Sequence, residues 1–399
     1  MKHFIYQLRR VKLHEIIEVW KLPIALFCAV IYRLFHSDLW IVCEDKNEAR
    51  DNGYWFFKYI CDNHPEQECI YAILRTSPDF EKVKKIGKTV QFGSLKHWIL
   101  YFASSKKISS QKAGNPNAAI FYFLEVYGFY KDKRVFLQHG ITKDDAKWLY
   151  YNVTKMNRFI CGAQPEYEFI KENFGYPSNN VVYTGFCRFD NLHSIKMRQN
   201  NIILIMPTWR AWIADEDRRL LQFEGTTVIP KTNYFISWND FLKDKRLEAL
   251  AQRYKVKFIF FPHRNMQKYM EYFPRSNDYL EVADAHCYDV QELMKQSMMM
   301  ITDYSSVFFD MIYMKKPIIF YQFDYEKFRI AQYSEGYFNY KDNPFGKSCL
   351  TKDDVFFELE TCIKKQFKPG EAFLKAHKEY FRLFDSNNCK RIYDIVQKL

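Results

Sequence analysis

Short apolar runs alternate with helix-like stretches along most of the chain. Asp38-Leu-Trp-Ile-Val-Cys43, Cys69–Leu74, Val135–Gln138, Arg158–Cys161 and Asn180–Tyr183 read as strands, with a weaker one at Thr89–Phe92. Helical stretches open at Asn52-Gly53 and around Tyr167–Phe174. A polar stretch, His193–Asn201, closes this half. The second half repeats the pattern, with strands at Asn201–Met206, Lys257–Phe261, Met298–Thr302 and Pro317–Tyr321. Its helices are expected over Glu292–Ser297 and Val307–Met314, and a helical tail over Lys352–Leu399. Strands spaced by helices imply βα units and largely parallel sheets. The expected fold class is therefore α/β, in two halves joined near residue 195, without internal repeats.

The run Leu22–Tyr32 is uninterrupted and apolar, but its eleven residues fall well short of the ~20 that span a bilayer. It lacks the small-residue cleavage site of a signal peptide. Lys2, Phe4, Tyr6, Arg9, Arg10, Lys12 and Trp20 precede it. Basic and aromatic residues beside a short apolar helix suit an interfacial anchor. A core-packing N-terminal helix is the alternative.

Composition narrows the class. Of 399 residues, 48% are apolar and 27% charged, which excludes a disordered or low-complexity chain. Aromatics reach 19%, and the net charge of +12 points to an anionic partner. The basic residues are dispersed and no RRM or zinc-finger motif occurs, so nucleic acid is not the expected partner. The ten cysteines contain no CxxC and read as reduced thiols rather than a zinc site, which favours the cytosol.

Candidate chemistry gathers where strands end, because open parallel sheets bind ligands beyond their carboxyl edges. Gln138-His139-Gly140 places an imidazole there, suited to a general base, with a glycine that lets the backbone turn sharply; a hydrogen-bonded loop histidine is the other reading. Pro262-His263-Arg264 follows the Lys257–Phe261 strand. An Arg fork and a protonated His both suit an anionic oxygen, and a solvated turn is the alternative. Thr302-Asp303-Tyr304-Ser305-Ser306 precedes a helix, so its hydroxyls either cradle a phosphate or cap the helix. Asp310, four residues after Ser306, is placed to orient a serine or a sugar hydroxyl. In Thr184–Asp190, Arg188 suits an anionic acceptor and Asp190 a loop pin; an interdomain salt bridge is the other reading. Asp324, after the Pro317–Tyr321 strand, is placed to shape the crevice. Asp215-Glu216-Asp217 is the sole DxD. It falls in a charged stretch read as a loop, so no metal site is expected there.

Five motifs in order then carry a resemblance: Val135–Gly140, Tyr183–Asp190, Met206-Pro-Thr208-Trp-Arg210, Pro262-His-Arg264, and Thr302–Ser306 with Asp310. Leu39–Glu44 and Ala49–Gly53 add to it. Together they resemble the CDP-glycerol glycerophosphotransferase family, over roughly residues 38–335. The resemblance implies a GT-B-like fold: two Rossmann-like domains whose parallel sheets face a central cleft. The domain boundaries expected are 1–36 for an amphipathic N-terminal helical segment, 37–195 for an acceptor-side domain, 196–345 for a CDP-polyol donor domain, and 346–399 for C-terminal helices. The implied enzyme transfers a glycerol-phosphate or ribitol-phosphate unit from CDP-glycerol or CDP-ribitol to a hydroxyl and releases CMP. Its acceptor would be polyprenyl-diphosphate-linked or polymeric, in teichoic-acid-like or capsular polymer synthesis. It would work peripherally on the cytoplasmic face of an anionic membrane, without metal or other cofactor. By position, His139 is the implied base and His263 the diphosphate-side histidine. Ser305, Ser306, Arg264 and Asp303 would bind the diphosphate. Thr208, Arg210, Asp310 and Asp324 would line the donor cleft, and Gly140, Arg188 and Asp190 the acceptor side. Cys187 stands where the family often has proline, and Pro344-Phe345-Gly346 where it often has Pro-Gly-Pro. A nucleotide-sugar glycosyltransferase of cell-surface polysaccharide synthesis is the alternative.

Overall fold

A computed structural model describes residues 11–112, 114–130, 132–193, 200–224, 226–284 and 287–399. Within these, the chain divides into two compact units. The first comprises residues up to His139, then Lys147–Asn191 and Leu383–Leu399; the second comprises Gly140–Ala146 and Leu192–Arg382. The expected junction near residue 195 falls within residues 194–199, which lie outside the described residues, as do Lys2, Phe4, Tyr6, Arg9 and Arg10.

The first unit is built on seven parallel strands. They are β1 (Trp40–Cys43), β2 (Cys69–Ile73), β3 (Thr89–Gln91), β4 (Lys106–Ser109), β5 (Lys133–Phe136), β6 (Arg158–Cys161) and β7 (Val181–Tyr183). Their order is β3-β2-β1-β4-β5-β6-β7, so the winding reverses between β1 and β4. β1, β2 and β4 are buried along their whole length, as strands covered on both faces must be. β4 was not expected, because Lys-Lys-Ile-Ser has no apolar run. Its lysines bury their stems and keep their ammonium groups satisfied: Lys106 by Asp38 at 3.1 Å, Lys107 by the Ser104 carbonyl at 2.8 Å.

The second unit has six parallel strands: β8 (Ile202–Ile205), β9 (Lys257–Phe260), β10 (Leu280–Val282), β11 (Ser297–Thr302), β12 (Ile318–Tyr321) and β13 (Gly346–Cys349). Their order is β10-β9-β8-β11-β12-β13, reversing between β8 and β11. The helix Asn233–Leu242 packs Trp238 and Phe241 onto this sheet, beside Phe260 and Tyr321. β10 and β13 are short edge strands without an apolar run, which hid them in the sequence. The expected α/β class with two parallel sheets therefore holds.

The apolar N-terminal run forms the helix Lys21–Phe35. Ala25 and Ala29 are buried in the first unit's core with Trp98, Phe102 and Phe121. The guanidinium of Arg33 donates to the Phe102 and Ala103 carbonyls. The opposite face stays open, with Phe27 70% and Leu34 76% exposed. No helix among the described residues is long and apolar enough to cross a membrane.

The expected tail is three helices, Lys352–Lys364, Glu371–Tyr380 and Asn388–Gln397. The last is seated on the first unit by Asp190, whose carboxylate accepts from the backbone N–H groups of Asn388 and Cys389, both at 2.8 Å.

Candidate functional site

The reversal point of the second sheet is organised around Arg210, which follows β8 and is fully buried. Its Nη1 donates to Asp303 Oδ2 at 2.8 Å and to the Thr208 carbonyl at 3.0 Å. Its Nε and Nη2 grip both oxygens of Asp324 at 2.8 and 3.0 Å. Asp303 in turn accepts from the backbone N–H of Thr208 at 2.8 Å and of Tyr304 at 2.6 Å. Three loops, after β8, β11 and β12, are thus tied by one cation. Burial works against that charge, and the two carboxylates more than offset it, holding the guanidinium pKa above its ordinary value. Arg210, Asp303 and Asp324 were expected to face the donor. Instead they saturate one another beneath the rim, and their observed contacts are those of positioning residues.

What the scaffold presents is the stretch above it. Thr208, Ser305 and Ser306 are half-buried. The helix that follows begins at Phe308, and neither serine hydroxyl caps it; only the serine carbonyls accept from Phe308 and Phe309. Plain helix capping, one of the two readings of these serines, is therefore excluded. Asp310 is buried within that short helix. Gly140 lies directly against Ser306, since a Cβ there would stand 2.8 Å from the serine Oγ. So the glycine expected on the acceptor side and one of the serines expected to bind diphosphate lie together in the second unit.

His263 caps the turn after β9: its Nδ1 accepts the Asn265 backbone N–H at 3.2 Å. A backbone N–H can only donate, so Nδ1 is bare and the proton of the neutral ring sits on Nε2. Burial, and then the Arg264 charge, push its pKa down to about 4. The expected imidazolium is thus a neutral ring that donates through Nε2–H. Trp209 lies alongside it, ring centroids 6.2 Å apart. Arg264 is exposed.

In the first unit, β5 runs into Gln138, held in the left-handed region at φ 61°, and then into the exposed His139. The fully buried Asn52 fixes this turn. Its Nδ2 donates to the Leu137 and Gln138 carbonyls at 3.3 and 2.6 Å, and its Oδ1 accepts the Arg188 N–H at 3.1 Å. Arg188 donates to Asp51 at 2.8 Å and to the His139 carbonyl at 3.3 Å. It is buried in this latch and does not stand open to an anionic acceptor. Asp190 pins a helix of its own unit. Glu44, after β1, takes the N–H groups of Arg50, Asp51 and Tyr54 at 2.9, 3.0 and 2.6 Å. This carboxylate fills the helix start that an anion would otherwise occupy; burial and Asp51 raise its pKa to about 8. Asn52 and Glu44 escaped sequence reasoning, because Asn52-Gly53 signals only a helix start.

The DxD falls in the helix Ala211–Glu224 and not in a loop. Asp217 is buried and accepts from Tyr269, Thr227 and Val228, whereas Asp215 is exposed and pairs with Arg218. The two carboxylates do not converge.

Two all-parallel sheets, each with a histidine at its carboxyl edge, define an α/β fold like that of the wall teichoic acid polymerase TagF. The likeness has a TM-score of 0.65 at 15% identity and covers 97% of this chain and 98% of that one. The chain belongs to the CDP-Glycerol:Poly(glycerophosphate) glycerophosphotransferase family, whose model matches residues 26–398. The minor teichoic acid biosynthesis protein GgaB of Bacillus subtilis is 31% identical over 94% of this chain and 42% of its own length. The teichoic acid glycerol-phosphate primase of B. subtilis is 24% identical over 65% of this chain and 62% of its own. The chain thus spans about 42 to 62% of these curated relatives.

Two predictions follow from this geometry. Arg210→Met leaves two buried carboxylates uncompensated, and denaturant unfolding should register a loss of about 3–5 kcal/mol. Nitrogen NMR of His263 should report the Nε2–H tautomer at pH 7. Its charge should appear only toward pH 4, below the ordinary imidazole range.

Proposed function

We propose that this chain is a glycerophosphotransferase that moves a polyol-phosphate unit from CDP-glycerol or CDP-ribitol to an acceptor hydroxyl, in the synthesis of a teichoic-acid-like or capsular polymer. The observation that carries the reading is the rim of the second sheet: two uncapping serine hydroxyls, a neutral histidine donor and an exposed arginine over one rigid ionic scaffold. Family membership narrows that anion-binding rim to a CDP-linked donor.

In this mechanism the acceptor oxygen attacks the donor's β-phosphorus. A new O–P bond forms, the β-phosphorus–bridging-oxygen bond breaks, and CMP leaves with the bridging oxygen. His139 Nδ1 or Nε2 takes the hydroxyl proton, because an alcohol is too weak an acid to ionise near pH 7. The Ser305 and Ser306 hydroxyls, His263 Nε2–H and Arg264 hold the charge that grows on the transferred phosphate and on CMP. Thr208 lines the donor side. Asp303, Arg210 and Asp324 keep that rim in place, with Asp310 behind it. On the acceptor side, Arg188 and Asn52 hold the turn that presents His139.

We also assign the exposed apolar face of the helices Leu13–Ile17 and Lys21–Phe35 to the surface of an anionic membrane, on the cytoplasmic side. Leu13, Ile17, Phe27 and Leu34 would enter the headgroup boundary, and the chain's net positive charge would add attraction.

The purified chain with CDP-glycerol or CDP-ribitol, a lipid-diphosphate acceptor and detergent should release CMP only when acceptor is present. His139→Ala should lower turnover about 10²–10⁴-fold without changing the unfolding midpoint. Ser305→Ala with Ser306→Ala should weaken donor binding measured by calorimetry. Acceptor-dependent turnover of UDP-sugars in place of CDP-polyols would assign the chain to the glycosyltransferases instead. In a separate assay, Phe27→Glu with Leu34→Glu should abolish co-sedimentation with phosphatidylglycerol vesicles. Unchanged sedimentation would refute the membrane assignment.

A further inference from the structure

Asp217, the inner carboxylate of Asp215-Glu216-Asp217, has no part in the proposed chemistry. It is 0% exposed, and an aspartate is almost never fully buried unless it is paired. Its Oδ1 accepts from Thr227 Oγ1 at 2.5 Å and from the Val228 N–H at 3.3 Å, and its Oδ2 accepts from the Tyr269 hydroxyl. The Lys268 ammonium, 63% exposed and 4.0 Å away, adds little across solvent.

The bond to Tyr269 joins two elements of the donor side. β8 and β9 are neighbours in the second sheet, and Asp217 and Tyr269 stand on the helices that follow them. Asp217 lies about two turns beyond Arg210, on the helix Ala211–Glu224, so it is carried by the element whose entrance the ionic scaffold fixes. Tyr269 belongs to the helix Arg264–Tyr272, for which His263 is the N-cap.

That second helix does not hold its own shape. It is a 3-10 run of nine residues, and such runs rarely pass about three or four because their hydrogen bonds are poorly aligned. It is also bent: Tyr269, at φ −112° and ψ 18°, is the one residue in it with non-helical backbone. The bend falls on the side chain that Asp217 grips. Burial, and then the bond to Asp217, raise the phenol's pKa, so Tyr269 remains a donor at neutral pH. At the other end, the Met266 N–H donates to the His263 carbonyl at 2.6 Å and the Asn265 N–H to the His263 ring. A shift at the bend therefore reaches His263 through a single short run of backbone.

We propose that Asp217 is a positioning residue: through Tyr269 it fixes the bend of the helix Arg264–Tyr272, and with it the place of His263 Nε2–H and Arg264 at the donor rim. The consequence for donor binding rests on the transferase reading above; the hold on His263 does not.

Two arms separate those claims. In the first, amide hydrogen exchange is followed by NMR with no donor present. In Tyr269→Phe the Asn265 and Met266 amides should exchange about tenfold faster, because the local opening that frees them becomes easier. Thr227→Val removes the other side-chain donor from the same carboxylate. It should lower the unfolding midpoint by a similar amount and leave both amides within twofold. Asp215→Asn, at the exposed member of the motif, is the unperturbed reference. Unchanged exchange in Tyr269→Phe, or equal acceleration in Thr227→Val, would overturn the proposal, since Asp217 would then only stabilise the fold. If Tyr269→Phe does not fold because a carboxylate oxygen is left bare in the interior, Asp217→Asn with Tyr269→Phe removes that charge and should show the same acceleration.

In the second arm, donor binding and CMP release are measured with CDP-glycerol and CDP-ribitol. Tyr269→Phe should raise the donor dissociation constant about fivefold and leave the acceptor KM within twofold, and Thr227→Val should leave both within twofold. Faster exchange with unchanged donor affinity overturns the link to donor binding. Failure of the wild-type chain to bind any CDP-polyol overturns the transferase reading, while the exchange arm still decides the hold on His263.

Discussion

The second unit's rim depends on one buried cation. Without Arg210, the carboxylates of Asp303 and Asp324 would lie buried and unneutralised, and the loops after β8, β11 and β12 would lose the cation that bonds to all three. A buried ionic cluster is not a cheap source of stability, because desolvation offsets most of the attraction. Its use here is geometric. Every polar atom of the cluster has a partner, so it admits one arrangement, and the backbone of Thr208 and Tyr304 is held by the same carboxylate that holds the guanidinium. Thr208 is thereby fixed through its backbone, which leaves its side chain half-buried at the rim with Ser305 and Ser306.

The first unit reaches the same end with a neutral hub. Asn52 donates twice and accepts once, joining the turn before His139 to the helix start at Cys187. This allows His139 itself to stay exposed, while the strain of a left-handed Gln138 is borne by a turn bonded on both sides. Glu44 closes the alternative: with three backbone donors already engaged, the helix start beside β1 offers no anion site. The second unit thus carries hydroxyl and N–H groups at its rim, and the first an exposed imidazole.

Much of this was legible in the residue pattern. Fully buried strands such as Ile202–Ile205 and Ser297–Thr302 announce themselves by continuous apolar runs, and the histidines stand out because they follow such runs. β4 did not announce itself, since two lysines with buried stems look polar in sequence. Site residues were legible by place but not always by orientation. Arg210 and Arg188 occupy strand ends as expected, yet both turn inward, and nothing in a one-dimensional pattern distinguishes an arginine that grips a ligand from one that grips a carboxylate ~100 residues away. The charge state of His263 was equally hidden, because it is set by burial and then by the Arg264 charge.

The seat of the helix Asn388–Gln397 on Asp190 bears on how the molecule is made. These partners are 198 residues apart, and the intervening chain builds nearly all of the second unit. During synthesis the first sheet can assemble early, but its surface beside Cys187 and Trp55 stays bare until the last helix emerges from the ribosome. The second unit must therefore fold while its predecessor is incomplete. A nascent chain of this kind waits longest with an unfinished seam on the half that folded first.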